Sequence, residues 1–213
     1  MCFSAQASFT AAGVLAAIGV ATFAQKPERK RVAFAAFPLF FAIHQAIEGF
    51  IWLSMESGGP PTWLAELYLF FAQVFWPVFT PLSVLLMEDD WRRKMGLWIL
   101  FAAGAVVSVT LAVVLIQNDY AVSVVNGSLH YSTNHHFEDR LIGLYLVAVS
   151  APLILSRHRY VMAFGAVVLA GSVITHLAFY YAAASVWCFF AAAGSAFVFL
   201  HVRRRRRLVE QNG

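Results

Sequence analysis

Residues 92–117 read RRKMGLWILFAAGAVVSVTLAVVLIQ: three cations followed by 23 residues without a charge. An apolar run of that length matches the roughly 30 Å hydrocarbon thickness of a bilayer at about 1.5 Å per helical residue. The cations before it belong on the side where they need not be carried through lipid. The same alternation repeats along the chain. Fourteen of the fifteen Lys and Arg residues fall in four clusters, Lys26 to Arg31, Arg92 to Lys94, Arg157 with Arg159, and Arg203 to Arg207. These clusters occupy every second gap between seven apolar segments. The pattern predicts an all-α bundle of seven transmembrane helices, with the N terminus outside and the C terminus inside.

Composition points the same way. Of 213 residues 61% are hydrophobic and 12% charged, with a mean hydropathy of +0.70, whereas soluble domains carry about 25% charge. A pI near 9.3 suggests nucleic acid in a soluble protein. Here the cations sit at helix ends, where anionic lipid headgroups are the expected partner, and nucleic acid is not. The reading is a single transmembrane domain over residues 1–202 and a basic cytoplasmic tail over 203–213. The first segment lacks a basic region before it, so it is expected to remain as an anchor and not to be a cleaved signal. Cys2 has no apolar segment before it and is not expected to carry lipid. Two cysteines exclude a disulfide framework.

The segments run from about Ala5 to Ala24 with Ser4 as cap, Val32 to Ser54, Trp63 to Met87, Met95 to Gln117, Arg140 to Leu155, Tyr160 to Tyr181, and Ser185 to Val202. Glu88 to Lys94 forms an inner loop. Gly58, Gly59, Pro60 and Pro61 supply an outer turn. Alternating residues around Asn126-Gly127 predict a small extracytoplasmic β-hairpin with a type I′ turn between segments four and five. Asn126-Gly127-Ser128 also fits a glycosylation acceptor, but the turn already explains it. In segment three, Pro77 and Pro81 remove donors from the carbonyls of Gln73 and Pro77 and predict a bend.

Polar groups in a hydrocarbon setting require a partner or a task. His44, Gln45, Glu48 and Trp52 lie on segment two, with His44, Glu48 and Trp52 at intervals of four on one stripe. His176 and Tyr180, with Thr175, lie in segment six, and Trp187 and Cys188 open segment seven. One reading is a polar ligand pocket in the outer half of the bundle. The other is a hydrogen-bond network that fixes helix packing. Zinc would need three or four convergent ligands, while the chain has neither HExxH nor a pair of membrane histidines at i and i+4. Haem through His44 and His176 would have to bridge a depth difference of about 6 Å at about 1.5 Å per residue. No cofactor is therefore assigned. Lys26, Lys30 and Lys94 are the only lysines and lie in inner loops, which removes a retinal Schiff base. Cys2 and Cys188 both fall at the outer end, as a thiol or disulfide pair or as two small buried side chains. The outer connection also gathers His130, His135, His136, Glu138 and Asp139, a metal or pH-responsive set or simply a solvated loop.

The opening MCFSAQASF, the internal HQAIEGFIW and the late SVWCFFAA together resemble an uncharacterised family of bacterial multi-pass membrane proteins that begin MCFSA. The resemblance spans nearly the whole chain. It implies an inner-membrane location and points to Cys2, Ser4, Gln45, Glu48, Trp52, Trp187 and Cys188. The position of His44 is often Gln in that family, a departure that weakens His44 as an essential ligand. No activity is implied. The expected function is non-enzymatic binding or sensing of a small ligand or ion. The alternatives are a membrane-embedded metal-dependent hydrolase, against which the missing paired histidines count, and a structural or accessory subunit.

Overall fold

The computed structural model of the chain describes residues 4–132, 139–178, 190 and 192–212. Among them it is mostly helical, with seven helical rods and one two-stranded sheet. The first rod is α1 (Ala5–Phe23). Ser4 is extended, and its hydroxyl accepts from the Ala7 N–H at 3.2 Å, the expected N-cap.

The second rod begins with a tight turn at Arg29–Arg31, continues as α2 (Val32–Ala35) and, after Ala36, as α3 (Phe37–Met55). Pro38 explains the interruption: it has no N–H to give the preceding turn, yet it fits the first turn of a new helix. After α3, Gly58 and Gly59 take φ of 104° and 107°, which L side chains avoid, and the Gly59 N–H returns to the Ser54 carbonyl at 2.9 Å.

The third rod is α4 (Thr62–Leu69), a π-helical stretch (Phe70–Phe75) and α5 (Trp76–Met87). The bend expected from the prolines takes this π form, and that changes which carbonyls are released. With i to i+5 spacing, the carbonyl that Pro77 fails to serve is that of Ala72, and the Tyr145 hydroxyl donates to it at 2.6 Å. The neighbouring Val74 carbonyl accepts from the Ser108 hydroxyl, also at 2.6 Å. Pro81 leaves the Pro77 carbonyl without a helical donor, and Gly104 packs directly on that oxygen.

The fourth rod, α6 (Trp91–Gln117), starts four residues before the expected Met95. Asp90 is extended and accepts from the Arg92 N–H at 2.9 Å, so the helix is capped there and Arg92 to Lys94 form its first turn instead of a loop. Strands β1 (Ala121–Val125) and β2 (Ser128–Ser132) pair antiparallel with Val125 opposite Ser128. Asn126 and Gly127 turn between them at φ 51° and 74°, as a type I′ turn requires. The remaining rods are α7 (Asp139–Ile154), α8 (Arg159–Ala178) and α9 (Ala196–Asn212). The arginine run Arg203 to Arg207 continues the last helix.

Helix α1 lies along α3, α5 meets α6 and α7, α7 meets α8, α8 meets α9, and α9 returns to α1. Four rods, Ala5–Phe23, Arg29–Met55, Thr62–Met87 and Trp91–Gln117, are long and apolar enough to cross a membrane. The interior divides into two apolar clusters. One gathers Phe34, Phe37, Phe41, Trp76, Leu153 and Phe164, and the other Ile47, Ile51, Leu64, Tyr68, Leu115 and Leu129.

Candidate functional site

Along α3, Phe41 belongs to the first apolar cluster and Ile47 to the second. The polar residues His44, Gln45 and Glu48 interrupt the helix at that junction, exposed by 0%, 1% and 0%. Placing three polar side chains there is costly unless each finds a partner. Gln45 Nε2 donates to Glu48 Oε2 at 3.1 Å. The His44 ring is 4.3 Å from that of Tyr68 on α4 and 5.7 Å from that of Phe71. Tyr68 in turn stacks on Tyr131 of β2 at 4.7 Å with the planes 7° apart. The imidazole also meets the Tyr68 backbone, and among the described residues no side-chain hydrogen bond joins His44 to Glu48 along the stripe they share.

Trp52 packs against the hairpin-end cluster, and its indole N–H has no hydrogen-bond acceptor among the described residues. His176 lies on α8, but its side chain is outside the described residues, as are Cys2, Tyr180, Trp187 and Cys188. The same holds for His135, His136, Glu138 and the Asp139 side chain. Thr175 is buried, and His130 pairs with Ser123 in the sheet. Helices α1 and α9 are neighbours. Among the described residues no three His, Cys, Asp or Glu side chains form a metal-binding group.

Two aromatic residues beside the site, Tyr68 against His44 and Tyr131 against Tyr68, differ in how far the sequence marks them. Tyr131 had a signal: alternation in the strand places it with Leu129 on one face, and Leu129 is buried. Tyr68 had none beyond its hydroxyl in an apolar run. The Glu48→Gln substitution tests what the buried carboxylate contributes. It is expected to lower thermal stability by about 1 kcal/mol, the scale of a buried interhelical or intrahelical polar contact, readable as a shift in the detergent-solubilised melting curve.

The opposite end of the bundle is charged. Lys30 Nζ lies 2.6 Å from Asp89 Oδ2, and Arg157 Nη2 lies 2.5 Å from Asp90 Oδ2. Arg93 donates to the Leu155 carbonyl at 3.0 Å, and Arg206 to that of Ala24 at 3.4 Å. The four basic clusters therefore meet at one end, and the hairpin packs at the other. The hydrogen bond and charge of Lys30 hold the Asp89 carboxyl below the usual carboxylate range.

His158 sits at this charged end with its ring 4.9 Å from that of His201. Burial, then Arg205 and Arg31, push it below its ordinary value of 6.5, with Glu88 and Asp89 opposing. A histidine held neutral in the fold contributes stability that is complete above about pH 6.5 and is lost as pH falls through its folded value. Unfolding measured across pH 5 to 7.5 is expected to give a parent curve that rises with pH more steeply than that of His158→Gln. Parallel curves would remove His158 from the account.

A family model described as a family of unknown function, DUF6629, matches residues 1–212, and the chain belongs to that family. Neither the curated proteins nor the solved structures contain a match to it.

Proposed function

We propose that this DUF6629 member is an integral membrane protein of seven spanning helices whose basic end faces the cytoplasm, and that it binds or senses a small polar ligand or ion at His44, Gln45 and Glu48. The observation that carries the binding reading is the burial of all three side chains between two apolar clusters. Polar groups so placed in an apolar helix mark functional sites by default. His176, Tyr180, Trp187 and the pair Cys2 and Cys188 complete the proposed surroundings of the site.

The membrane reading draws support from the outer surface. Helix α6 exposes Ile99, Val106, Val109, Val113 and Ile116, a stripe that water would penalise and lipid would not. Gathering the cations at one end supports the orientation, because Lys and Arg in short loops stay on the cytoplasmic side. Anionic headgroups are the expected partners of that end. The proposed location in cells is the inner membrane.

Titration of the detergent-purified protein with zinc, calcium and sodium chlorides, followed by thermal unfolding and tryptophan fluorescence, tests the binding reading. A saturable response in the parent that His44→Ala and Glu48→Gln both weaken supports it. A response unchanged in both variants, or none with any probe, assigns the cluster to helix packing instead. Reporter fusions test the orientation: a tag after Asn126 should report outside, and one after Arg207 inside.

A further inference from the structure

A separate cavity of about 300 Å³ opens at the basic end, where the turn after α1 meets the last helix. Its walls carry Lys26, Glu28 and Arg31 from that turn and Arg205 and Arg206 from α9. Helical spacing accounts for the second wall, since Val202, Arg205 and Arg206 at i, i+3 and i+4 share one face toward α1. Lys26 is held in the left-handed region at φ 52°, the turn that closes this side.

Arg31 is the informative residue. It is only 3% exposed. One guanidinium nitrogen forms an ion pair with Glu28, three residues earlier, while its buried Nε makes no hydrogen bond among the described residues. The Nε of Arg205 is likewise buried without an acceptor among the described residues. Two buried guanidinium donors without acceptors leave a desolvation cost that a bound oxyanion would remove. Four cations face one carboxylate around the cavity, so the missing acceptor is an anion.

We infer that this cavity is a binding site for a phosphoryl group, held by Arg31 and Arg205 with Lys26 and Arg206 supplying charge. Guanidinium forks match tetrahedral oxyanions in both geometry and charge. The phosphoryl group belongs either to a lipid headgroup or to a free phosphate. Glu28 competes with it for Arg31, so occupancy displaces the Glu28 ion pair. The site stands on the packing of α9 against the turn after α1, and not on the polar cluster at the far junction.

The experiment measures binding of inorganic phosphate to the full chain in detergent by calorimetry. In parallel it measures the melting temperature in nanodiscs of phosphatidylcholine with and without phosphatidylglycerol. Saturable phosphate binding supports the site with free phosphate as its ligand. Stabilisation by phosphatidylglycerol that added phosphate does not mimic supports it with a headgroup as ligand. Arg205→Gln is expected to weaken the responding arm about tenfold, the loss of one charge-assisted bond. Glu28→Gln is expected to tighten it, which a nonspecific basic surface would not predict. Arg207→Gln, which removes a cation outside the cavity, should leave it unchanged. Neither arm responding, or Arg207→Gln weakening the response as much as Arg205→Gln, overturns the inference.

Discussion

Replacing Gly104 with alanine is expected to destabilise the protein by about 3 kcal/mol, at the upper end of what overpacking an interior costs. A methyl group built on Gly104 would lie 1.9 Å from the Pro77 carbonyl oxygen and 2.9 Å from its carbon. Both obstacles are backbone, so no side-chain rotation relieves the overlap, and α5 and α6 must move apart. The close approach exists because Pro81 cannot donate to Pro77. The freed oxygen then lies against the glycine α-carbon, where a weak C–H···O contact takes the place of the lost bond. Gly96 on the same helix is the control: a methyl there meets nothing within 4 Å. Gly96→Ala is therefore expected to be neutral or to gain up to about 1 kcal/mol in helix propensity. Denaturation of both variants in one detergent makes the comparison, and similar midpoints for the two would refute the packing account.

The combined substitution Ser108→Ala with Tyr145→Phe is expected to cost about 2 kcal/mol, roughly 1 for each hydroxyl removed. These hydroxyls are donors to Val74 and Ala72 in the π-helical stretch. Removing them leaves two carbonyls, two residues apart, without those donors while subtracting little volume, so cavity formation contributes a minor share. Amide exchange should rise across Phe70–Phe75 in the double variant and stay at parent levels in α1. Unaltered exchange in the π-helical stretch would mean that the prolines and helix packing alone hold it.

Much of the architecture was readable in local patterns, and the reasons are local too. Lys30, Arg93, Arg157 and Arg206 each reach a loop belonging to another segment, so the common end inferred from charge spacing is visible as contact. Asn126-Gly127 specifies its own turn. The start of α6 lies four residues before the apolar run because Asp90 caps the helix there, and a basic triplet alone does not distinguish a first turn from a loop. The π-helical stretch was out of reach, because it depends on Tyr145 lying 73 residues from Ala72. The same applies to the candidate site: burial of His44, Gln45 and Glu48 follows from helix hydrophobicity, but the rings against His44 come from α4 and the π-helical stretch, and the hairpin adds Tyr131 behind Tyr68. Such long-range pairings leave no spacing to read along the chain.

The connector between α5 and α6 carries successive carboxylates with different tasks, Asp89 to the opening turn of the bundle's second rod and Asp90 to the segment after its fifth. Extended backbone at Glu88 and Asp90 lets neighbouring residues project to opposite sides. The connector therefore behaves as a two-sided clip whose length is set by parity. One inserted residue between the two aspartates would turn both acids to the same side and release one of the flanking turns, whereas two would restore the opposition at a wider grip. Exposed pairs of this kind add little to stability; what the clip fixes is the relative height at which distant parts of the chain enter the bundle.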